Sequence, residues 1–169
     1  MGANPRFWSG YKAALTACFL LPWASASHAA TTNTTFSVTA TLQATCTINS
    51  ASALNFGTVG MLTANVDQTS TIQVTCTNTT PYNIGLDIGT GTGASVATRK
   101  LTSGGTTVNY TLYSDSGRST LWGNTVGTDT VTATSNGSAQ SYTVYGRIPT
   151  QSTPAPGTYT DTITVTVTY

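Results

Sequence analysis

The segment "GTYTDTITVTVTY" (157–169) alternates almost without fault. Tyr159, Ile163, Val165, Val167 and Tyr169 share one parity, while threonines from Thr158 to Thr168 fill the other. A period of two places successive side chains on opposite faces, so this stretch reads as a strand with one apolar face and one solvated face. Threonine is β-branched and suits the exposed face of a strand better than a helix. Asp161 breaks the pattern by falling on the apolar parity, and a loop or bulge there would expose it. No stretch shows a convincing helical period, so the chain is expected to be all-β.

The remaining strands follow the same rule. "TCTINSASALNFGTV" (45–59) begins extended and breaks at Ser, Asn and Gly. "STIQVTCTN" (70–78), "YNIGLDI" (82–88), "TVNYTLYSD" (107–115) and "SYTVYGRIP" (141–149) each align apolar residues on one parity, with Pro81 before one and Pro149 ending another. With the final segment these make six strands. Between them lie Gly- and Thr-rich connections, of which "GTGTGASVATRKLTSGG" (89–105) is the longest and is expected to be a mobile loop or a short hairpin. Short strands separated by turn signals indicate an antiparallel sandwich. A further alternating stretch lies near the start, where Phe36, Val38, Ala40 and Leu42 face one way and Ser37, Thr39 and Thr41 the other.

The first 29 residues read as an export signal. Arg6 and Lys12 precede the apolar "AALTACFLLPWA" (13–24), which is too short to span a bilayer, and cleavage after Ala29 leaves small residues at Ser27 and Ala29. "LTAC" (15–18) resembles a lipoprotein acylation box, and acylation of Cys18 is the alternative.

Removal of the signal takes away His28, and the chain contains no Glu. The usual general bases and several metal ligands are then missing, no pair of the five Asp residues has a catalytic spacing, and no enzyme, cofactor or metal role is expected. Arg99, Lys100, Arg118 and Arg147 stand against five Asp, a net charge of −1, which argues against nucleic-acid binding. "GTGTG" (89–93) lacks the helix that a phosphate loop requires. Cys46 and Cys76 point to one disulfide in an exported protein, the alternative being two buried thiols.

Four quoted stretches carry a specific likeness: "CTINSASALNFGTV" (46–59), "VTCTNTTPYNIGLDIGTG" (74–91), "YTLYSDSGRSTLWGN" (110–124) and "YTVYGRIPTQSTPAPGTYTDTITVTVTY" (142–169). In this order they resemble the spore coat protein U / Csu pilin family, secreted bacterial proteins that include archaic chaperone–usher pilus subunits. The resemblance implies an incomplete immunoglobulin-like sandwich of about six strands that lacks its last strand. It implies a donor-strand extension at residues 30–43 and a pilin domain at 44–169. Phe36, Val38, Ala40 and Leu42 would be donor positions. Ile163, Val165, Val167 and Tyr169 would line the acceptor groove and meet the chaperone. Cys46 and Cys76 would match the family disulfide.

The partners so implied are a periplasmic chaperone, an outer-membrane usher and other copies of the chain, with no small-molecule substrate. The product would be a cell-surface pilus that supports adhesion and biofilm formation. Two other readings compete with it. One is a self-complete secreted or spore-coat sandwich; the other is a carbohydrate-binding module that stacks sugars on Trp122 or exposed tyrosines.

Overall fold

The computed structural model describes residues 28–169, so the expected export signal and the acylation box at Cys18 lie outside the described residues except for His28 and Ala29. The chain divides into a leading unit ending at Thr39 and a body, Ala40–Tyr169. The described part of the leading unit has no regular secondary structure.

The body is an all-β sandwich of two antiparallel sheets. Its strands are β1 (Cys46–Ala51), β2 (Val66–Cys76), β3 (Pro81–Leu86), β4 (Arg99–Ser103), β5 (Thr106–Tyr113), β6 (Val131–Thr134), β7 (Gln140–Ile148) and β8 (Val165–Thr168). The larger sheet has the order β1-β2-β7-β5-β4 and the smaller β6-β3-β8. This is the immunoglobulin-like sandwich expected, with two short strands added, β4 and β6. Both are sheet edges, where fewer positions are buried and the alternation is correspondingly weak. The long 89–105 connection ends in a hairpin: Ser103 pairs with Thr106 across Gly104 and Gly105, whose φ values of 51° and 88° suit a two-residue primed turn.

The core forms where the inward parities of both sheets meet. Ile72 and Val74 from β2, Tyr82, Ile84 and Leu86 from β3, Val108, Tyr110 and Leu112 from β5, and Val144 and Ile148 from β7 are buried there. Trp122 joins them at 1% exposure, and its indole N–H donates to the Ile84 carbonyl at 2.8 Å. A tryptophan so enclosed offers no sugar-stacking face, which removes the main support for the carbohydrate-binding reading. Tyr110 is likewise buried, and Tyr142 and Tyr159 are half-buried against the core.

Arg99 occupies the core parity of β4 at 0% exposure. Its guanidinium donates to the carbonyls of Asp87 (2.8 Å), Val96 (3.0 Å), Leu86 (3.1 Å) and Trp122 (2.7 Å). One side chain thereby satisfies four backbone acceptors and fixes the 86–99 connection to the strand that follows it. On the outer face of the larger sheet, Asp67 pairs with Arg147 through two 2.8 Å hydrogen bonds, and Arg118 approaches to 3.4 Å. The hydrogen bond from Arg147 holds the Asp67 carboxyl below its ordinary pKa.

The 157–169 stretch departs from one continuous strand. Thr160 forms an antiparallel bridge with Thr102 of β4 in the larger sheet, whereas Val165–Thr168 pairs with β3 in the smaller one. The chain changes sheets at Asp161, which is why that residue interrupts the alternation. Its carboxylate is not left free in solvent. It accepts the Thr90 amide at 2.7 Å, the Thr90 hydroxyl at 2.8 Å and the Tyr110 hydroxyl at 2.7 Å.

Candidate functional site: an open groove between two sheet edges

β1 ends the larger sheet and β8 ends the smaller one, and neither has a partner on its outer side among the described residues. Past the last residue of β1 and ahead of the first residue of β8 lies a groove of about 330 Å³. Residues 51–54 and Phe56 form one wall and Asp161, Thr162, Ile163 and Val165 the other. The floor is the core itself, where Ile72, Leu86, Leu112 and Val144 lie buried beneath these walls. Most residues on the core parity elsewhere are fully covered. Leu54, Phe56, Ile163 and Val165 are only half-buried although they pack against that core.

Local sequence explains each wall. On the β8 side, Asp87 pins the backbone: its carboxylate accepts the amides of Gly89 and Thr164, both at 3.0 Å. Burial pushes the Asp87 pKa up, but these hydrogen bonds outweigh it and the net direction is downward. On the β1 side, regular pairing stops at Ala51, and Ser52 closes the strand by bonding the Thr71 amide and carbonyl. Leu54 and Phe56 then reach inward. Gly146 of β7 makes room for them, since a Cβ there would lie 2.7 Å from a Leu54 methyl. Phe56 meets Tyr110 edge-on, with ring centroids 6.2 Å apart. Burial and the hydrogen bond to Asp161 raise the Tyr110 pKa well above the ordinary phenol range.

The residues singled out from the sequence take the following places. Ile163 and Val165 line the groove. Val167 is half-buried and paired opposite Ile84 of β3, outside the groove lining. Tyr169 follows β8, is 58% exposed and is also not in the lining. Cys46 and Cys76 are disulfide-bonded and stand opposite each other in the register of β1 and β2. Phe36, Val38 and Leu42 are 86%, 83% and 89% exposed, and Ala40 is exposed as well. Leu54 and Phe56 were not anticipated as groove residues. Their spacing of two within "SALNFG" is the available signal, obscured by Ser, Asn and Gly around them.

Among the described residues no three His, Cys, Asp or Glu side chains are grouped to hold a metal ion, and no helix is long and apolar enough to cross a membrane.

Comparison with known proteins agrees with this architecture. The model of the Spore Coat Protein U domain matches residues 32–166. Protein U of Myxococcus xanthus is 34% identical over 172 residues, covering 93% of this chain and 96% of that protein. Among solved structures, a chain of the CsuC–CsuE chaperone–tip adhesion subunit pre-assembly complex from archaic chaperone–usher Csu pili of Acinetobacter baumannii aligns with a TM-score of 0.55 at 26% identity. That alignment takes in 76% of this chain and 40% of the other, so this protein spans well under half of its solved neighbour. With a matching sandwich, and a family model that runs through nearly all of the described residues, the chain belongs to the Spore Coat Protein U domain family.

Proposed function

We propose that this protein is a structural subunit of a chaperone–usher surface pilus and polymerises by donating residues 30–43 to the groove of the next copy. The observation that carries this reading is the pairing of two complementary defects in one chain. The groove leaves Leu54, Phe56, Ile163 and Val165 incompletely covered beside two strands unpaired on their outer edges, and the leading segment exposes an alternating apolar face. An unpaired edge beside open core is an aggregation hazard that strand addition removes. Full burial of Phe36, Val38 and Leu42 would contribute on the order of 5–9 kcal/mol of gross hydrophobic stabilisation.

In this reading a periplasmic chaperone covers the groove first and an outer-membrane usher exchanges it for the next subunit. The donor face is Phe36, Val38, Ala40 and Leu42, and Ile163 and Val165 receive it in the groove, with Val167 and Tyr169 as the outlying positions of the same strand. The Csu structure, a chaperone–subunit pre-assembly complex, supports a chaperone partner by likeness. Export to the cell surface, adhesion and biofilm formation follow as the roles of such a fibre.

Deletion of residues 31–43 tests the reading. The truncated subunit is expected to co-purify with its chaperone and to be absent from fibres sheared from cells. Fibres of undiminished amount would contradict it and favour a sandwich complete in itself.

A further inference from the structure

The segment between β1 and β2 is attached in an unusual way. Ser52 and Leu62 are each hydrogen-bonded to other parts of the body, through Thr71 at one end and through Gln151 and Thr153 at the other. Among the described residues, 53–61 make no hydrogen bond to any other element, and the one bond there is internal, from the Gly57 amide to the Asn55 side chain. Gly57 within the segment has a φ of 77°, and Met61 near its end is 78% exposed. What holds the strap down is apolar packing: Leu54 and Phe56 insert over Gly146 and Tyr110, and Val59 rests half-buried against the core.

Leu54 and Phe56 lie on the path of an incoming strand. A seven-residue strand such as 36–42 spans roughly 20 Å, whereas the four residues of β8 span only about 10 Å. The incoming strand therefore overruns β8 into the level of residues 161–164. Phe56, Tyr110 and Asp161 form a chain of contacts from one wall to the other at that level.

From this geometry we infer that residues 53–61 are a displaceable strap: Leu54 and Phe56 shield part of the groove floor in the free subunit and leave when the donor strand of a second copy enters. The inference rests on the acceptor role of the groove. Displacement breaks no hydrogen bond to another element. It also exchanges like for like, because Leu54, Phe56 and Val59 leave and the donor face carries Leu42, Phe36 and Val38. Bonded ends at Ser52 and Leu62 limit the movement to the strap itself.

A thiol placed under the strap reports its position. In a chain that also carries Cys18→Ser, Cys46 and Cys76 are bonded to each other, so in Leu54→Cys the new thiol is the one that a maleimide labels. Addition of a synthetic peptide of residues 31–43 is expected to accelerate labelling by about tenfold, as the strap lifts out. Slower or unchanged labelling while the peptide binds would overturn the strap and leave the acceptor reading intact. No peptide binding at all would overturn both.

Phe56→Ala provides a second readout that does not depend on the cysteine variant. A displaced strap predicts a peptide association rate raised by about tenfold with the dissociation rate nearly unchanged. A fixed wall predicts the reverse, faster dissociation with no gain in association, and that result would also overturn the inference.

Discussion

Val38→Asp is expected to abolish fibre assembly while leaving the subunit folded. Val38 is 83% exposed in the described chain, so an aspartate there costs the free subunit almost nothing. Inserted into the groove, the same carboxylate would stand over Ile72, Leu112 and Val144 with no cation among the lining residues. An uncompensated charge in such a place costs more than about 3 kcal/mol, or over 100-fold in the insertion equilibrium. Quantifying sheared surface fibres, beside circular dichroism of the purified subunit, separates the two effects. Fibres at the normal level from Val38→Asp would place the donor face elsewhere. Val38→Ile keeps the apolar face and is expected to assemble normally.

Arg99→Ala should have the largest effect on stability of any single surface-distant substitution. The side chain is wholly enclosed and donates to the carbonyls of Leu86, Asp87, Val96 and Trp122. Truncation removes the donor from the buried carbonyls of Leu86 and Trp122 and the part-buried ones of Asp87 and Val96, and opens a cavity in the same step. The expected loss is roughly 3–5 kcal/mol, or about 10–20 °C in Tm for a domain of this size. Arg99→Lys is expected to recover only a minor part, because an ammonium cannot reach acceptors arranged around a planar fork. Thermal unfolding followed by circular dichroism measures both. A Tm within a few degrees of the parent for Arg99→Ala would show that the connection 86–99 is held by other means.

How far the structure can be read from residues alone follows from where each residue sits. β2, β5 and β7 lie in the interior of the larger sheet, with one face on the core, and their alternation is correspondingly plain. β4 and β6 are edge strands. Arg99 stands on the core parity of β4 as a charged residue, which hides the strand, and "VTAT" of β6 has only two half-buried residues, Val131 and Ala133, too few for a period to stand out. The alternation of 157–169 was legible, but its change of sheet was not. Periodicity records which side a residue faces and not which sheet it pairs with, and the only sign was Asp161 on the wrong parity. Of the four positions named in the final segment, Ile163 and Val165 line the groove and Val167 and Tyr169 do not. The groove's opposite wall was concealed because Leu54 and Phe56 sit in a loop, where inward-facing residues follow no period. The disulfide was legible from two cysteines in an exported chain.

The central claim is that the strand passes from one copy to the groove of another. Its most direct measurement is cross-linking in fibres grown from an equal mixture of isotope-labelled and unlabelled subunits carrying Val38→Cys and Ile163→Cys. Mass spectrometry of the disulfide joining these positions distinguishes donor and acceptor by label. Insertion between copies predicts linked peptides in which labelled and unlabelled partners are mixed at the statistical frequency. Linked peptides carrying one label only would show each strand folding back on its own domain, and would contradict the account.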